Sequence, residues 1–326
     1  KNPDYDSGWT AVNPGETLAL SHLLGGPWTD YTVDLQFKDT ETRGINQCSY
    51  GLNQISGLGA CYQNLDAQYI NVCRGSSDTF ADQVRVRIWR ASWPKYDSGW
   101  QSISPDSEIT LNHNLIGNPD DYVVDMAFRD TELGIHNLYY GGTRYHWFQD
   151  GTVYYKGAYW HSLDTTSIKV LRHADDEHVD QVRVRIWIPP LADYDSDWYT
   201  TTPGEIKLFV HGLKDEDDDY VIYIDFRDPG GIGIHHYRYG GDVEWDVPTA
   251  TATKTGAYWK MLTSPGSIEI KRMEDDPYCR DVRMRIWKNP NPWHAWKQDW
   301  TAIAEGEYQS PYHQLGGNRD DYIVDL

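Results

Sequence analysis

Three short elements of the chain combine aromatic rings with polar side chains, a combination suited to binding a sugar. The segment 157–161 reads Gly-Ala-Tyr-Trp-His, and related segments stand at 256–260 and 59–63. An aromatic face can stack on a sugar ring while a neighbouring polar group bonds its hydroxyls. The candidate carbohydrate-binding residues are Tyr159, Trp160, His161, Tyr258, Trp259 and Tyr62. Alternatively, these rings pack the edge of a folded domain.

A second pattern places two arginines and a tryptophan on one face of a strand. The segment 182–187 reads Val-Arg-Val-Arg-Ile-Trp, so its apolar residues can face a core while the others point away. Arginine and tryptophan favour interfaces, and the interface candidates are Arg85, Arg87, Trp89, Arg183, Arg185, Trp187, Arg283, Arg285 and Trp287. Alternatively, Asp34, Asp125 and Asp225 pair with the arginines across the sheet. Both interpretations, the interface and the pairing within the sheet, hold if this strand lies partly under a neighbouring domain.

Runs of acidic residues raise two further chemistries. Carboxylates on a loop can bind Ca²⁺, with Asp217, Asp218 and Asp219 as weak candidates, but the spacing is not that of an EF-hand and a solvated turn is the alternative. We expect no cofactor beyond this calcium. Glycoside hydrolysis needs one defined pair of acids, and none is singled out. A nucleophile elbow is also missing, so we predict no catalytic residues and no enzyme.

These elements recur because the chain repeats itself. Tyr-Asp-Ser-Gly-Trp at 5–9 returns at 96–100, and as Tyr-Asp-Ser-Asp-Trp at 194–198. A period of roughly one hundred residues is the size of a small domain rather than of a solenoid turn. We therefore divide the chain into copy one (1–93), copy two (94–190), copy three (191–290) and a partial fourth copy (291–326).

The pattern within each copy is that of short strands. Polar and apolar residues alternate over runs rich in Val, Ile and Tyr, and Gly, Asn, Asp and Pro separate the runs. The predicted fold class is all-β, a tandem array of antiparallel β-sandwich domains with about six to seven strands each. Copy one is shorter between its Gly-Ile and Gly-Ala elements, which predicts an exposed loop or hairpin there in the other copies. The short proline-containing linkers predict a semi-rigid rod.

Composition limits the partners and the compartment. The net charge of −20 argues against nucleic acid and against an anionic membrane surface. No run of 18 apolar residues is present, so we expect no membrane insertion in this segment. The chain has four cysteines, Cys48, Cys61, Cys73 and Cys279. A Cys61–Cys73 disulfide and buried free thiols are both compatible with the sequence.

Each copy resembles an H-type lectin domain. The resemblance rests on Gly99-Trp100, Pro119 before Val123-Val124, Tyr159-Trp160-His161 and Ile186-Trp187, which follow that family's order. It implies a six-stranded antiparallel sandwich that binds galactose-type sugars, commonly as a trimer, with the Trp-His sugar contact at Trp160 and His161. Copy one has Tyr62-Gln63 and copy three Trp259-Lys260 at that place. The copies also resemble bacterial surface repeats with the same two ends.

The fourth copy stops at Leu326, inside its expected central strand. A fragment of two or three strands is marginally stable alone, so either the chain is an excerpt or strands of another chain complete the fragment. We therefore expect a non-enzymatic structural repeat protein of an extracellular filament or surface stalk. It would assemble head to tail with copies of itself. The alternatives are a multivalent carbohydrate-binding adhesin, whose partners are glycans, and a segment of a phage or viral fibre.

Overall fold

The alternating polar and apolar residues of each copy form short antiparallel strands. A computed structural model describes residues 3–39, 43–52, 57–90, 94–146, 152–189, 192–213, 220–246, 251–261 and 266–288. Copy one contains β1 (Tyr5–Asp6), β2 (Thr10–Ala11), β3 (Thr17–Ser21), β4 (Tyr31–Asp39), β5 (Gly44–Asn46), β6 (Ala60–Gln63), β7 (Tyr69–Arg74) and β8 (Gln83–Arg90).

Copies two and three repeat this order with two extra strands each. Copy two contains β9 (Tyr96–Asp97), β10 (Gln101–Ser102), β11 (Ser107–Asn112), β12 (Val123–Arg129), β13 (Ile135–His136), β14 (Thr143–His146), β15 (Val153–Lys156), β16 (Ala158–His161), β17 (Ser167–Arg172) and β18 (Gln181–Trp187). Copy three contains β19 (Tyr194–Asp195), β20 (Tyr199–Thr200), β21 (Ile206–Val210), β22 (Tyr220–Asp228), β23 (Gly233–His235), β24 (Asp242–Asp246), β25 (Thr251–Thr255), β26 (Ala257–Met261), β27 (Ser267–Arg272) and β28 (Asp281–Lys288).

The strands of each copy form two antiparallel sheets. In copy two the first sheet has the order β10-β18-β12-β13, with β9 also on β18, and the second has the order β11-β17-β16. Copies one and three have the same strand orders, and pairing of β5 with β26 joins the first sheet of copy one to the second sheet of copy three. The inward residues of the terminal strand, Val182, Val184 and Ile186, are fully buried in the core. The all-β sandwich prediction is therefore confirmed.

The extra strands lie at the segment whose length differs between copies. They form the β-hairpins β14–β15 in copy two and β24–β25 in copy three. This agrees with the hairpin or loop that the length comparison predicted. The only helical elements among the described residues are two 3₁₀ turns, Trp28–Asp30 and Pro119–Asp121. Nothing helical in the described part of the chain has the length and apolar character needed to cross a bilayer.

The three copies close around a common axis, so the expectation of a rod is wrong. Tyr50, Tyr140 and Tyr239, which occupy the same position in each copy, meet edge to face with ring centroids 5.7–5.8 Å apart. Backbone hydrogen bonds join successive copies and then the last to the first: Tyr139 N to Gly51 O (3.0 Å), Arg238 N to Gly141 O (2.8 Å) and Ser49 N to Gly240 O (2.9 Å). Residues 3–288 thus form one compact unit.

Closure also requires glycine beside each axial tyrosine. A Cβ on Gly141 (φ +85°) would lie 2.8 Å from the backbone nitrogen of Tyr239 in copy three. Gly51 and Gly240 make the same close approach to the next copy, at 2.8 and 2.7 Å from its backbone. A side chain at these positions would push the copies apart, because backbone atoms cannot move aside as a flexible side chain can.

The repeated opening motif ties the two ends of each copy together. In copy two, Asp97 accepts a hydrogen bond from Nε of Arg183 at 2.8 Å, and Ser98 Oγ accepts one from Val184 N at 2.9 Å. Burial opposes ionisation of Asp97, but the bonds from Arg183 and from a backbone N–H outweigh it and lower the pKa of the carboxyl. The equivalent pairs are Asp6–Arg85 and Asp195–Arg283.

A histidine packs between two tyrosines in every copy. In copy two, His113 lies 5.9 Å from Tyr96 and 5.6 Å from Tyr122, measured between ring centroids. Burial lowers the pKa of His113. The corresponding histidines of copies one and three, His22 and His211, have the same surroundings and the same direction of pKa shift. The fold therefore contains these imidazoles in their neutral form at pH 7.

We predict that acidification lowers the free energy of unfolding of the protein between pH 6.5 and 4. Burial lowers the pKa of His173 to about 4 and that of His235 to about 3, whereas an unfolded histidine titrates near 6.5. The unfolded chain therefore binds more protons across this interval, and stability falls as the pH falls through it. Urea midpoints at several pH values measure this effect.

The matched variant is His173→Leu, which removes one of the buried imidazoles. Its urea midpoint should depend less steeply on pH between 6.5 and 4 than that of the parent chain, with the difference worth roughly 2–3 kcal/mol at the acid end. A midpoint that stays constant or rises on acidification would contradict this assignment.

Candidate functional site

The second arginine of each terminal strand joins two copies. Nη2 of Arg185 donates to Asp125 Oδ2 of its own copy at 2.6 Å and to the backbone oxygen of Tyr31 in copy one at 2.7 Å. Arg185 is almost fully buried. The equivalent contacts are Arg87 with Asp34 (2.6 Å) and Tyr220 O (2.9 Å), and Arg285 with Asp225 (2.7 Å) and Tyr122 O (2.7 Å).

The first arginine lies further out on the same boundary. Besides its bond to Asp97, Arg183 donates to Thr29 O and, at 3.1 Å, to Asp30 Oδ1 of copy one. Arg283 likewise donates to Asp120 O of copy two at 2.5 Å. Arg85 pairs with Asp6 of its own copy at 2.6 Å.

A tryptophan follows the two arginines on the same face of each terminal strand. Trp89, Trp187 and Trp287 are half-buried, and their rings lie 5.5–5.9 Å from the guanidinium carbons of Arg87, Arg185 and Arg285. This distance permits a cation–π contact. The nine interface candidates therefore make contacts within their own copy, and five of the six arginines, Arg87, Arg183, Arg185, Arg283 and Arg285, also bond to another copy.

Copy three differs from the other two at the position opposite this second arginine. Tyr223 stands opposite Arg285 in the strand register, where the other copies have aspartate. The acid is displaced to Asp225, which reaches Nη2 of Arg285 at 2.7 Å. Burial opposes ionisation of Asp225, but Arg285 and His236 outweigh it and lower its pKa.

Tyr223 makes another contact between copies. Its hydroxyl accepts a hydrogen bond from Val124 N at 2.9 Å and donates one to Val124 O at 3.1 Å, both in copy two. The tyrosine at this position could have indicated a difference between copies. Its partner could not have been inferred, because the partner is a backbone group of another copy.

The structure buries the rings expected to stack on sugar. Trp160 and Trp259 have no exposed surface, and Tyr62 is 4% exposed. Trp160 Nε1 donates to Tyr140 OH at 3.3 Å, and Trp259 Nε1 donates to Gln47 Oε1 of copy one at 3.0 Å. A sugar cannot reach these three rings in this arrangement. The stacking role expected for them is corrected to packing near the axis.

The other members of the predicted sugar site lie between copies. The ring of Tyr159 is 4.4 Å from that of Tyr237 in copy three and 5.4 Å from His161. His161 Nε2 lies 3.1 Å from Glu108 Oε2, and burial lowers the pKa of this imidazole. Glu108 also pairs with Lys169 at 2.7 Å, and 35 and 40% of these two side chains are exposed.

Copy three presents different chemistry at the corresponding place. Tyr258 is buried beside Cys48 of copy one and Met273, and Lys260 forms an ion pair with Glu269 at 3.1 Å. The three copies therefore present three different side-chain sets at the position of the predicted sugar contact. Only copy two combines a histidine with a partly exposed carboxylate there.

One aspartate at an equivalent turn of each copy, within the acidic runs of copies two and three, is part of the fold. In copy two, Asp176 accepts hydrogen bonds from Gly157 N (2.7 Å) and Val179 N (2.6 Å) and pairs with Arg172 (3.1 Å). Asp78 and Asp276 make the same contacts in copies one and three. These carboxylates have no free oxygen to offer a cation, because each oxygen already accepts backbone N–H groups.

Two further expectations concern calcium binding and the state of the cysteines. The weak calcium candidates Asp217, Asp218 and Asp219 lie outside the described residues; within those residues, no group of three or more His, Cys, Asp or Glu is arranged to hold a metal ion. Cys48, Cys61, Cys73 and Cys279 are buried free thiols, although Cys61 and Cys73 lie opposite each other on β6 and β7.

Comparison with known proteins adds no assignment. No family model matches the sequence, and no curated protein matches it significantly.

We predict that Arg185→Gln destabilises the ring of copies by about 3 kcal/mol, because it leaves Asp125 without its charged partner in a largely buried site. The matched control is Arg90→Gln. The side chain of Arg90 is 57% exposed and pairs with Asp4 at 3.4 Å, so its loss should cost at most about 1 kcal/mol. Urea unfolding of both variants measures the difference. Equal effects would show that the buried arginine does not hold the copies together.

Proposed function

We propose that the chain is a non-enzymatic structural module of an extracellular filament or surface stalk. The observation that carries the proposal is how the repeated charged residues are used. In each copy an arginine of the terminal strand pairs with an aspartate of its own sheet and bonds to the next copy. The aspartate of the acidic run is likewise bonded to backbone N–H groups. Side chains engaged in this way support a rigid building block.

Ring closure limits how such a block assembles. Contacts that join each copy to the next in the same sense either close into a ring or continue as a filament. Here three copies of one chain already close the ring, so these surfaces are not available to another chain. In this proposal, chains join head to tail through other surfaces. A net charge of −20 keeps the modules apart elsewhere.

Electron microscopy of the native material tests this function. We expect fibres or stalks on which compact particles repeat at regular intervals, labelled by antibodies against the β14–β15 hairpin. Discrete particles alone, at every concentration and with no label on the cell surface, would contradict the proposal.

A second candidate function is carbohydrate binding. One observation favours it: three sandwich domains closed around an axis correspond to the trimer that the resemblance to H-type lectins implies. Since Trp160 is inaccessible, the sugar contact would have to use the edge of the pair formed by His161 and Glu108. Copy two is then the binding copy.

A glycan array distinguishes this candidate from the first. If copy two binds sugar, His161→Ala should reduce binding at least tenfold, because a polar site that loses a bonding group loses about 1.4 kcal/mol or more. Lys260→Ala changes the same position of copy three and should leave binding unaffected. Absence of binding by the parent chain, or equal binding by both variants, would reject carbohydrate recognition at this site.

A further inference from the structure

One strand of copy three exposes an apolar stripe. The outward residues of β21 are Ile206, Leu208 and Val210, with exposed fractions of 53, 46 and 70%. Between them, Phe209 points into the core and is buried. We call the three outward residues the β21 strip. Large apolar side chains in a continuous exposed row mark a contact surface more often than isolated ones do.

The other two copies show that the sandwich does not require this strip. Aligning the buried Phe209 with Leu111 in copy two and Leu20 in copy one gives the equivalent positions. These are Glu108, Thr110 and Asn112 in copy two, and Thr17, Ala19 and Ser21 in copy one. Both sets are polar or small, so the apolar residues of copy three serve something other than the shared fold.

The strip also lies on a sheet edge. β21 is the last strand of its sheet, and in the described part of the chain its pairing partner is β27. An edge strand presents unpaired backbone groups that another strand can join, and natural proteins usually protect such edges with charged side chains. Glu108 is a charged residue of this kind on the outward face in copy two. The charged residue of β21, Lys207, lies on the opposite face from the β21 strip, with its Nζ 4.0 Å from the centroid of the Tyr199 ring.

The sequence of the strip fits a second copy of itself. If two β21 strands pair antiparallel about a two-fold axis at Leu208, Leu208 faces its own counterpart and Ile206 faces Val210 of the other chain. Apolar side chains then meet at every outward position, which is the favourable cross-strand arrangement. A strand with a charge at its centre, such as one carrying lysine in place of Leu208, would instead oppose itself.

The charges around the strip also favour a second copy of this chain as its partner. Lys260 pairs with Glu269 at 3.1 Å, and Lys271 pairs with Glu274 at 3.0 Å. These two ion pairs neutralise four charged groups on and after β26 and β27 within the chain, although the chain as a whole carries a net charge of −20. Two copies can approach here with less repulsion than over an average surface.

We propose that β21 is a self-association edge through which two copies of this chain pair antiparallel, with Leu208 on the two-fold axis. The pair is closed and does not by itself propagate into a filament. The contact would therefore link two modules laterally. It does not depend on the proposed function, because it rests on the strip, its edge and the ion pairs beside it.

Charge-swap variants test the register directly. The molar mass of the parent chain is measured by sedimentation equilibrium up to about 1 mM, since a contact this small is expected to be weak. Leu208→Lys and Leu208→Glu should each be monomeric, because like charges meet across the axis. An equimolar mixture of the two should regain the dimer. Thr110→Lys makes the matched change in copy two and should dimerise like the parent chain.

Thermal unfolding confirms that each variant is folded before its mass is interpreted. Three results would overturn the proposal: a parent chain that stays monomeric throughout the concentration range, a dimer that persists in Leu208→Lys, or a mixture of the two charged variants that remains monomeric. If Thr110→Lys abolishes the dimer as Leu208→Lys does, the contact lies elsewhere and the assignment to β21 is also wrong.

Discussion

The structure depends on a buried arginine that needs partners from two domains at once. A guanidinium removed from water is costly unless its charge and its N–H groups are satisfied. Arg185 finds the charge in Asp125 of its own sheet and a further acceptor in Tyr31 O of copy one. An isolated copy would leave this N–H to water, so Nη2 of the arginine has both of its acceptors only when the neighbouring copy is in place. The same requirement recurs in each copy and couples the three folds.

Placing three domains on one chain lowers the free-energy cost of bringing them into contact. A linked domain meets its neighbour at a high effective concentration, so contacts that would be weak between separate chains become sufficient. The axial tyrosines, the glycines beside them and the backbone bonds between copies follow the same rotation three times. Departures from symmetry, such as Tyr223 and the buried pair of Cys48 and Tyr258, then distinguish one boundary from the next. They favour one order of copies over the alternatives.

Local features of this fold could be read from the sequence, and relations between copies could not. The alternation around Val182, Val184 and Ile186 predicts a strand with one buried face, because that periodicity is a property of the strand itself. The length difference between copies indicated the β14–β15 hairpin, because the length of a segment is likewise a local property of the sequence. The sequence also suggested that Asp125 and Arg185 pair, since both lie on outward faces of adjacent strands.

The errors share one cause. Proline in the linkers suggested a rod because the sequence does not show that Tyr50, Tyr140 and Tyr239 meet. Trp160 looked like a sugar platform because an aromatic residue at a strand end is exposed in an isolated sandwich. Its actual partner, Tyr140 OH, comes from a turn that closure brings onto the axis.

Closure of the three copies is the central claim, and small-angle X-ray scattering from the chain ending at Lys288 tests it most directly. A single compact body of this length should have a radius of gyration of about 19 Å. Three separate domains of the same total length placed in a row would give about 30 Å. A value near 19 Å is the result that the structure predicts. A value near 30 Å would contradict closure.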